Sequence, residues 1–127
     1  MTLTRTEVRE LLDRHGIRPK RSLGQNFVVE PNTVRRIVEL AAVGPGDRVL
    51  EIGPGVGSLT LALAEAGVAV TAVEIDDALV GVLAETTAGH DVVIVHADAM
   101  AVDWSDLLDN DQWTLVANLP YNVSVPL

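Results

Sequence analysis

The sequence predicts an α/β fold in which a parallel sheet lies between layers of helices. Three observations carry that prediction. Four short segments, "RVLEIG", "VAVTAVEID", "DVVIVHAD" and "WTLVAN", are apolar on both faces, as strands covered on both sides must be. Helical segments separate the first three of them, the pattern of βαβ units. A glycine-rich turn with Gly53, Gly55 and Gly57 stands between the first strand and its helix, where the backbone has to reverse sharply. Right-handed crossovers then place the loops after the strands along one sheet edge, and ligands of such sheets bind there.

The elements follow in order. Thr4 and Glu7 have capping-box spacing, and Gly16 can end the helix they begin. Val8, Leu11 and Leu12 give that helix one apolar face. The stretch "IRPKRSLGQNFVVEP" mixes proline, glycine and three cations and reads as an irregular arm. Pro31 can open a second helix, with Val34, Ile37, Val38 and Ala41 on one side. "GPGD" at 44–47 is a turn, and the first strand follows it. "SLTLALAEAG" is a helix ending at Gly67, and "DALVGVLAETTAG" is another with Asp77 as its N-cap. "WSDLLDND" reads as one helical turn within a loop, and "NVSVPL" as the start of a further helix capped by Ser124. An apolar fourth strand left with a bare edge is a liability, so the sequence reads as a fragment of a longer protein. The expected division is an N-terminal helix and basic arm over 1–30 and the first part of a larger unit over 31–127.

Composition narrows the classes. A chain of 127 residues with 48 % hydrophobic content can bury a real core. The absence of cysteine excludes disulfides and thiolate metal sites. No signal-like or membrane-spanning run occurs, so a soluble, cytoplasmic protein without a membrane partner is expected. His15, His90 and His96 are scattered, and no metal is expected. The net charge of −9 is unevenly spread. All nine basic residues lie at or before Arg48, among six acids, whereas twelve acids and no Lys or Arg follow. That asymmetry suits a basic arm on an acidic body, or equally a solvated surface.

Four places could carry chemistry. The glycine turn has G-x-G-x-G spacing, a poor match to the dinucleotide fingerprint G-x-G-x-x-G, in which Ser58 would have to be the last glycine. Any strand–turn–helix needs glycine, so the turn alone decides little. Glu74 ends the second strand, where a carboxylate can accept both hydroxyls of a ribose. Asp98 follows the third strand and could accept from an adenine amine, with the Ala99 or Met100 N–H facing a ring nitrogen; as a loop N-cap it would look the same. After the fourth strand comes "NLPY". Asn118 offers an amide oxygen, Pro120 a carbonyl, and Tyr121 a flat face on which a base can stack. Taken in order, these strand ends suit an adenosine-containing ligand and, at the last of them, a planar amine.

"LGQNFV", "EIGPGVGSLT", "VEID", "ADAM" and "NLPYNVS", in this order over residues 23–124, resemble the ribosomal RNA adenine dimethyltransferases. Within that family the sequence is most similar to the bacterial small-subunit branch, which is linked to kasugamycin sensitivity. Relatives that act on large-subunit RNA and confer macrolide resistance share the pattern.

The resemblance implies a Rossmann-like S-adenosylmethionine-dependent methyltransferase fold, here its first four parallel strands with their flanking helices. It implies dimethylation of the exocyclic amine of adenines in small-subunit rRNA, with the immature small ribosomal subunit as partner. By the same resemblance Gln25, Asn26 and Val28 close over the cofactor, and Gly53, Gly55 and Gly57 face its methionine portion. Glu74 holds the ribose, Ile75 lies against the adenine, and Asp98 with Ala99 takes its edge. Asn118 and the Pro120 carbonyl hold the target amine, and Tyr121 stacks the target base. Arg18, Lys20 and Arg21 are placed to meet RNA phosphate. The family's C-terminal helical domain is absent from the sequence, which implies a chain inactive on RNA by itself. Two other classes compete: a nicotinamide dehydrogenase, which the glycine spacing disfavours, and a non-catalytic RNA-binding assembly factor, which Asn118 and Tyr121 disfavour.

Overall fold

Five strands and four helices follow one another in the computed structural model of the chain, which describes residues 4–17, 31–103, 112–117 and 124–126. They are α1 (Arg5–Arg14), α2 (Pro31–Ala41), β1 (Arg48–Ile52), α3 (Ser58–Glu65), β2 (Ala69–Glu74), α4 (Asp77–Thr86), β3 (Val92–His96), β4 (Thr114–Ala117) and β5 (Ser124–Pro126). The sheet order is β3-β2-β1-β4-β5. β1 to β4 are parallel, so all four end at the same edge. The chain winds outward through β2 and β3 and then returns to the other side of β1, so the order reverses between β1 and β4. Such a reversal opens a crevice at the carboxyl ends of the central strands.

Local chemistry explains the elements. The Thr4 hydroxyl accepts from the Glu7 N–H at 3.1 Å, and the Glu7 carboxylate accepts from the Thr4 N–H at 3.2 Å, which completes the expected capping box of α1. Gly16, with φ of 68°, lets the chain leave that helix. α4 is capped one residue earlier than the sequence suggested. Asp76 is extended and its carboxylate accepts from the Ala78 N–H at 3.0 Å. Asp77 instead lies in the first turn, where its charge meets the positive end of the helix.

The last described segment corrects the reading of "NVSVPL" as a helix start. Ser124–Pro126 form a strand antiparallel to β4, with Leu115 opposite Val125. β4 is apolar and would leave a row of unpaired amides, so edge pairing wins over the local cap signal. Pro126 is tolerated because β5 is an edge strand. The helical turn expected in "WSDLLDND" falls at 104–111, outside the described residues.

Two packed clusters fix the layers. Val34 and Ile37 of α2, Leu59 and Leu63 of α3, and Leu83 of α4 pack on Val49, Val70, Ala72 and Val116 of the sheet. Truncating a fully buried leucine of this kind, such as Leu63, to alanine typically costs about 2–5 kcal/mol. The second cluster joins Val8, Leu11 and Leu12 of α1 to Leu79 and Val82 of α4, with Val56 of the glycine turn between them. Among the described residues no helix is long and apolar enough to cross a membrane.

Candidate functional site

The carboxyl edge of the sheet gathers the described part of the site. The glycine turn leaves β1 with φ of 70° at Gly53, 60° at Gly55 and 94° at Gly57, all in the left-handed region that side chains disfavour. β2 holds it from the side: the Gly53 N–H donates to the Val73 carbonyl at 3.0 Å, and the Gly55 N–H donates to Glu74 Oε1 at 3.1 Å. Gly57 has a packing reason of its own. A Cβ there would stand 2.8 Å from Leu83 Cδ1 and 3.1 Å from Thr86 Cγ2, so its bare face lets α4 approach.

Glu74 ends β2 and is buried. Its second oxygen, Oε2, accepts from the Asp76 N–H at 3.0 Å. Two backbone amides therefore orient the carboxylate. Four lone-pair positions minus these two leave capacity for the two hydroxyls of a ribose. Ile75, next in the chain, is 63 % exposed, an apolar side chain at the rim with a face open to a flat ligand. One strand further on, Asp98 is exposed, and its Oδ1 accepts from the Met100 N–H at 2.9 Å. The loop-cap role is therefore present, and it uses only one of the two carboxylate oxygens. The Met100 amide is committed to Asp98, which leaves Ala99 as the other amide of that reading.

Glu51 is a candidate site residue that sequence reasoning missed. It lies in β1, is wholly buried, and shares its face of the sheet with Ala72 and Val116. The Thr60 hydroxyl of α3 donates to its Oε1 at 2.5 Å. Its Oε2 is buried without a partner among the described residues. Burial pushes the Glu51 carboxyl up to about 7; the Thr60 hydrogen bond opposes this and the Glu74 charge adds to it. The available signal was an acid inside a segment that is otherwise apolar on both faces: such a group must be paired, neutral or in use.

Gln25, Asn26 and Val28 lie outside the described residues, as do Arg18, Lys20 and Arg21. So do Asn118, Pro120 and Tyr121, although β4 ends at Ala117, directly before Asn118. The described residues hold no group of three or more His, Asp or Glu side chains able to bind a metal ion.

Comparison with known proteins gives a consistent answer. The family described as ribosomal RNA adenine dimethylase matches residues 16–127. The ribosomal RNA small subunit methyltransferase A of Streptomyces coelicolor is 54 % identical over 127 residues, 95 % of this chain and 44 % of that protein. The solved 23S rRNA methyltransferase ErmE is 31 % identical with a TM-score of 0.59, over 76 % of this chain and 49 % of that one. A dimethyladenosine transferase from Plasmodium falciparum shares the fold, with a TM-score of 0.62 at 23 % identity over 75 % of this chain and 34 % of that one. The chain spans less than half the length of the curated relative it matches.

Proposed function

The chain belongs to the ribosomal RNA adenine dimethylase family, and we propose that its protein binds S-adenosylmethionine and dimethylates the exocyclic amine of adenines in small-subunit rRNA. The observation that carries this reading is the bond from the Gly55 N–H to Glu74. It joins the glycine turn and the ribose acceptor into one wall at the reversal of strand order, with Asp98 on the next strand end.

The residues fit the cofactor. Glu74 takes the ribose hydroxyls, Ile75 packs on the adenine, and Asp98 accepts from its amine. The glycine turn faces the methionine portion. Glu51, whose Oε2 has no partner among the described residues, supplies an acceptor for the cationic end of the ligand, directly or through a water. When bound, S-adenosylmethionine supplies a methyl group already activated on a sulfonium, so no strong base is needed. The work of the chain is positioning. Asn118 and the Pro120 carbonyl accept the protons of the target amine, which draws that nitrogen toward pyramidal geometry. Tyr121 stacks the target base, which has to leave its helix to arrive there. Arg18, Lys20 and Arg21 meet the phosphates, while Gln25, Asn26 and Val28 close over the cofactor.

The test is transfer of tritiated methyl groups from S-adenosylmethionine to immature small ribosomal subunits by the full-length protein. Label in the small-subunit RNA, lost in Asn118→Ala, is the expected result. With large-subunit RNA offered in parallel, label confined to it would favour the activity named for ErmE, the 31 % identical relative. Binding of NADH with no binding of S-adenosylmethionine would overturn the reading outright.

A further inference from the structure

We propose that His96 is a positioning residue for the ribose and adenine subsites, acting through the single peptide group that joins Ile75 to Asp76. The inference rests on the cofactor reading above and deepens it.

Glu74 and His96 are register partners across β2 and β3. The His96 ring turns to the β2–α4 connection, where Nε2 lies 3.2 Å from the Ile75 carbonyl oxygen. A carbonyl only accepts, so the proton of that bond sits on Nε2. Nδ1 lies 3.8 Å from Asp77 Oδ1, at the first turn of α4.

The Ile75 carbonyl and the Asp76 N–H belong to one planar peptide group and cannot turn independently. That same Asp76 N–H donates to Glu74 Oε2 at 3.0 Å, while Glu74 Oε1 accepts from the Gly55 N–H at 3.1 Å. A continuous relay therefore runs from the imidazole through one peptide plane to the carboxylate and on to the glycine turn. The preceding carbonyl is held as well: the Ala97 N–H donates to the Glu74 oxygen at 3.1 Å. The Ile75 side chain is exposed at the rim, so its placement depends on how its backbone is held. His96 fixes the tilt of that peptide plane, and with it the Glu74 carboxylate and the base from which Ile75 projects.

The experiment is calorimetric titration of the full-length protein with S-adenosylmethionine, comparing wild type, His96→Ala and His96→Gln. Exchange of the Asp76 amide is followed by NMR in the ligand-free protein. The ring is 48 % exposed, so neither substitution removes core packing. Loss of the bond in His96→Ala weakens the cofactor about fivefold and speeds exchange at Asp76. The Gln amide can donate to the same carbonyl, so His96→Gln restores both to near the wild-type values. Wild-type affinity and slow Asp76 exchange in the alanine variant would overturn the proposal while leaving the cofactor reading intact. Equal weakening in both variants, with Asp76 exchange unchanged, would also overturn it. A wild-type protein that binds no S-adenosylmethionine removes the parent reading and this one together.

Discussion

Glu74 accepts the Gly55 amide on one oxygen and the Asp76 amide on the other, so one buried carboxylate ties the turn after β1 to the turn after β2. Replacing it with alanine strands the buried Gly55 N–H and the part-buried Asp76 N–H. Glu74→Ala is expected to lose about 1–3 kcal/mol of stability in urea titrations. It is also expected to lose S-adenosylmethionine binding by a larger factor than this destabilisation explains, because the ribose acceptor goes too. Glu74→Gln keeps one acceptor but turns an NH₂ toward a backbone N–H. It should fall between wild type and alanine in both measurements.

Glu51 makes stability depend on pH in a defined direction. Its folded-state pKa is raised, so the native state holds a proton that the unfolded chain has released. Stability from this group is complete below the unfolded value of 4.5 and falls as pH rises to about 7. Over that window the loss is about 3 kcal/mol, from the size of the shift. Glu51→Gln removes the titration. Urea midpoints of the variant should stay level from pH 5 to 8 where those of wild type decline. A cationic ligand beside Oε2 favours the carboxylate, so wild-type affinity for S-adenosylmethionine should rise across the same window and the variant should lack the rise.

Much of this arrangement was legible in the sequence. Strands apolar on both faces, punctuated by Gly53, Gly55, Gly57 and Gly67, specify parallel βαβ units because burial on both sides leaves no polar face to misread. Glu74 and Asp98 stood out as acids at strand ends. Glu51 did not, because its meaning depends on Thr60 and Glu74, which only the folded sheet brings beside it. His96 was passed over for the same reason: its partner is a carbonyl 21 residues away in the chain. β5 was misread because Ser124 carries a local cap signal; the bare edge of β4 was foreseen, but that this segment returns to pair with it is a tertiary feature.

The two roles of glycine at Gly57, conformation and close approach, can be separated. Gly57 and Gly89 have similar positive φ, 94° and 83°. A Cβ at Gly89 meets nothing within 4 Å, whereas one at Gly57 meets Leu83 Cδ1 at 2.8 Å. Gly89→Ala should therefore cost only the left-handed strain, about 1–2 kcal/mol. Gly57→Ala should cost more, since α4 has to move away from the turn. Denaturant midpoints of the two single variants, measured side by side, give the difference directly. Equal losses would mean that Leu83 yields without cost.

α1 bears on the glycine turn through Val56, and an ion-pair cluster holds it there. Glu85 of α4 takes Arg14 Nη1 on one oxygen at 2.5 Å and His15 Nε2 on the other at 2.8 Å. The His15 hydrogen bond is the main cause of a Glu85 pKa below the ordinary value, with the Arg14 charge adding to it. A depressed carboxyl stabilises above its unfolded pKa, and that contribution fades as pH falls through the folded value. The cluster is solvent-exposed, so salt weakens it. Glu85→Gln is expected to leave the sheet intact and to speed hydrogen exchange in α1 first. The cluster of Val8, Leu11 and Leu12 on Val56 and Leu79 then loosens, and cofactor affinity falls with it. Exchange measured by mass spectrometry at low salt, before and after adding salt, checks the order of events. Faster exchange in β1 or β2 than in α1 would show that the cluster supports the core and not the helix.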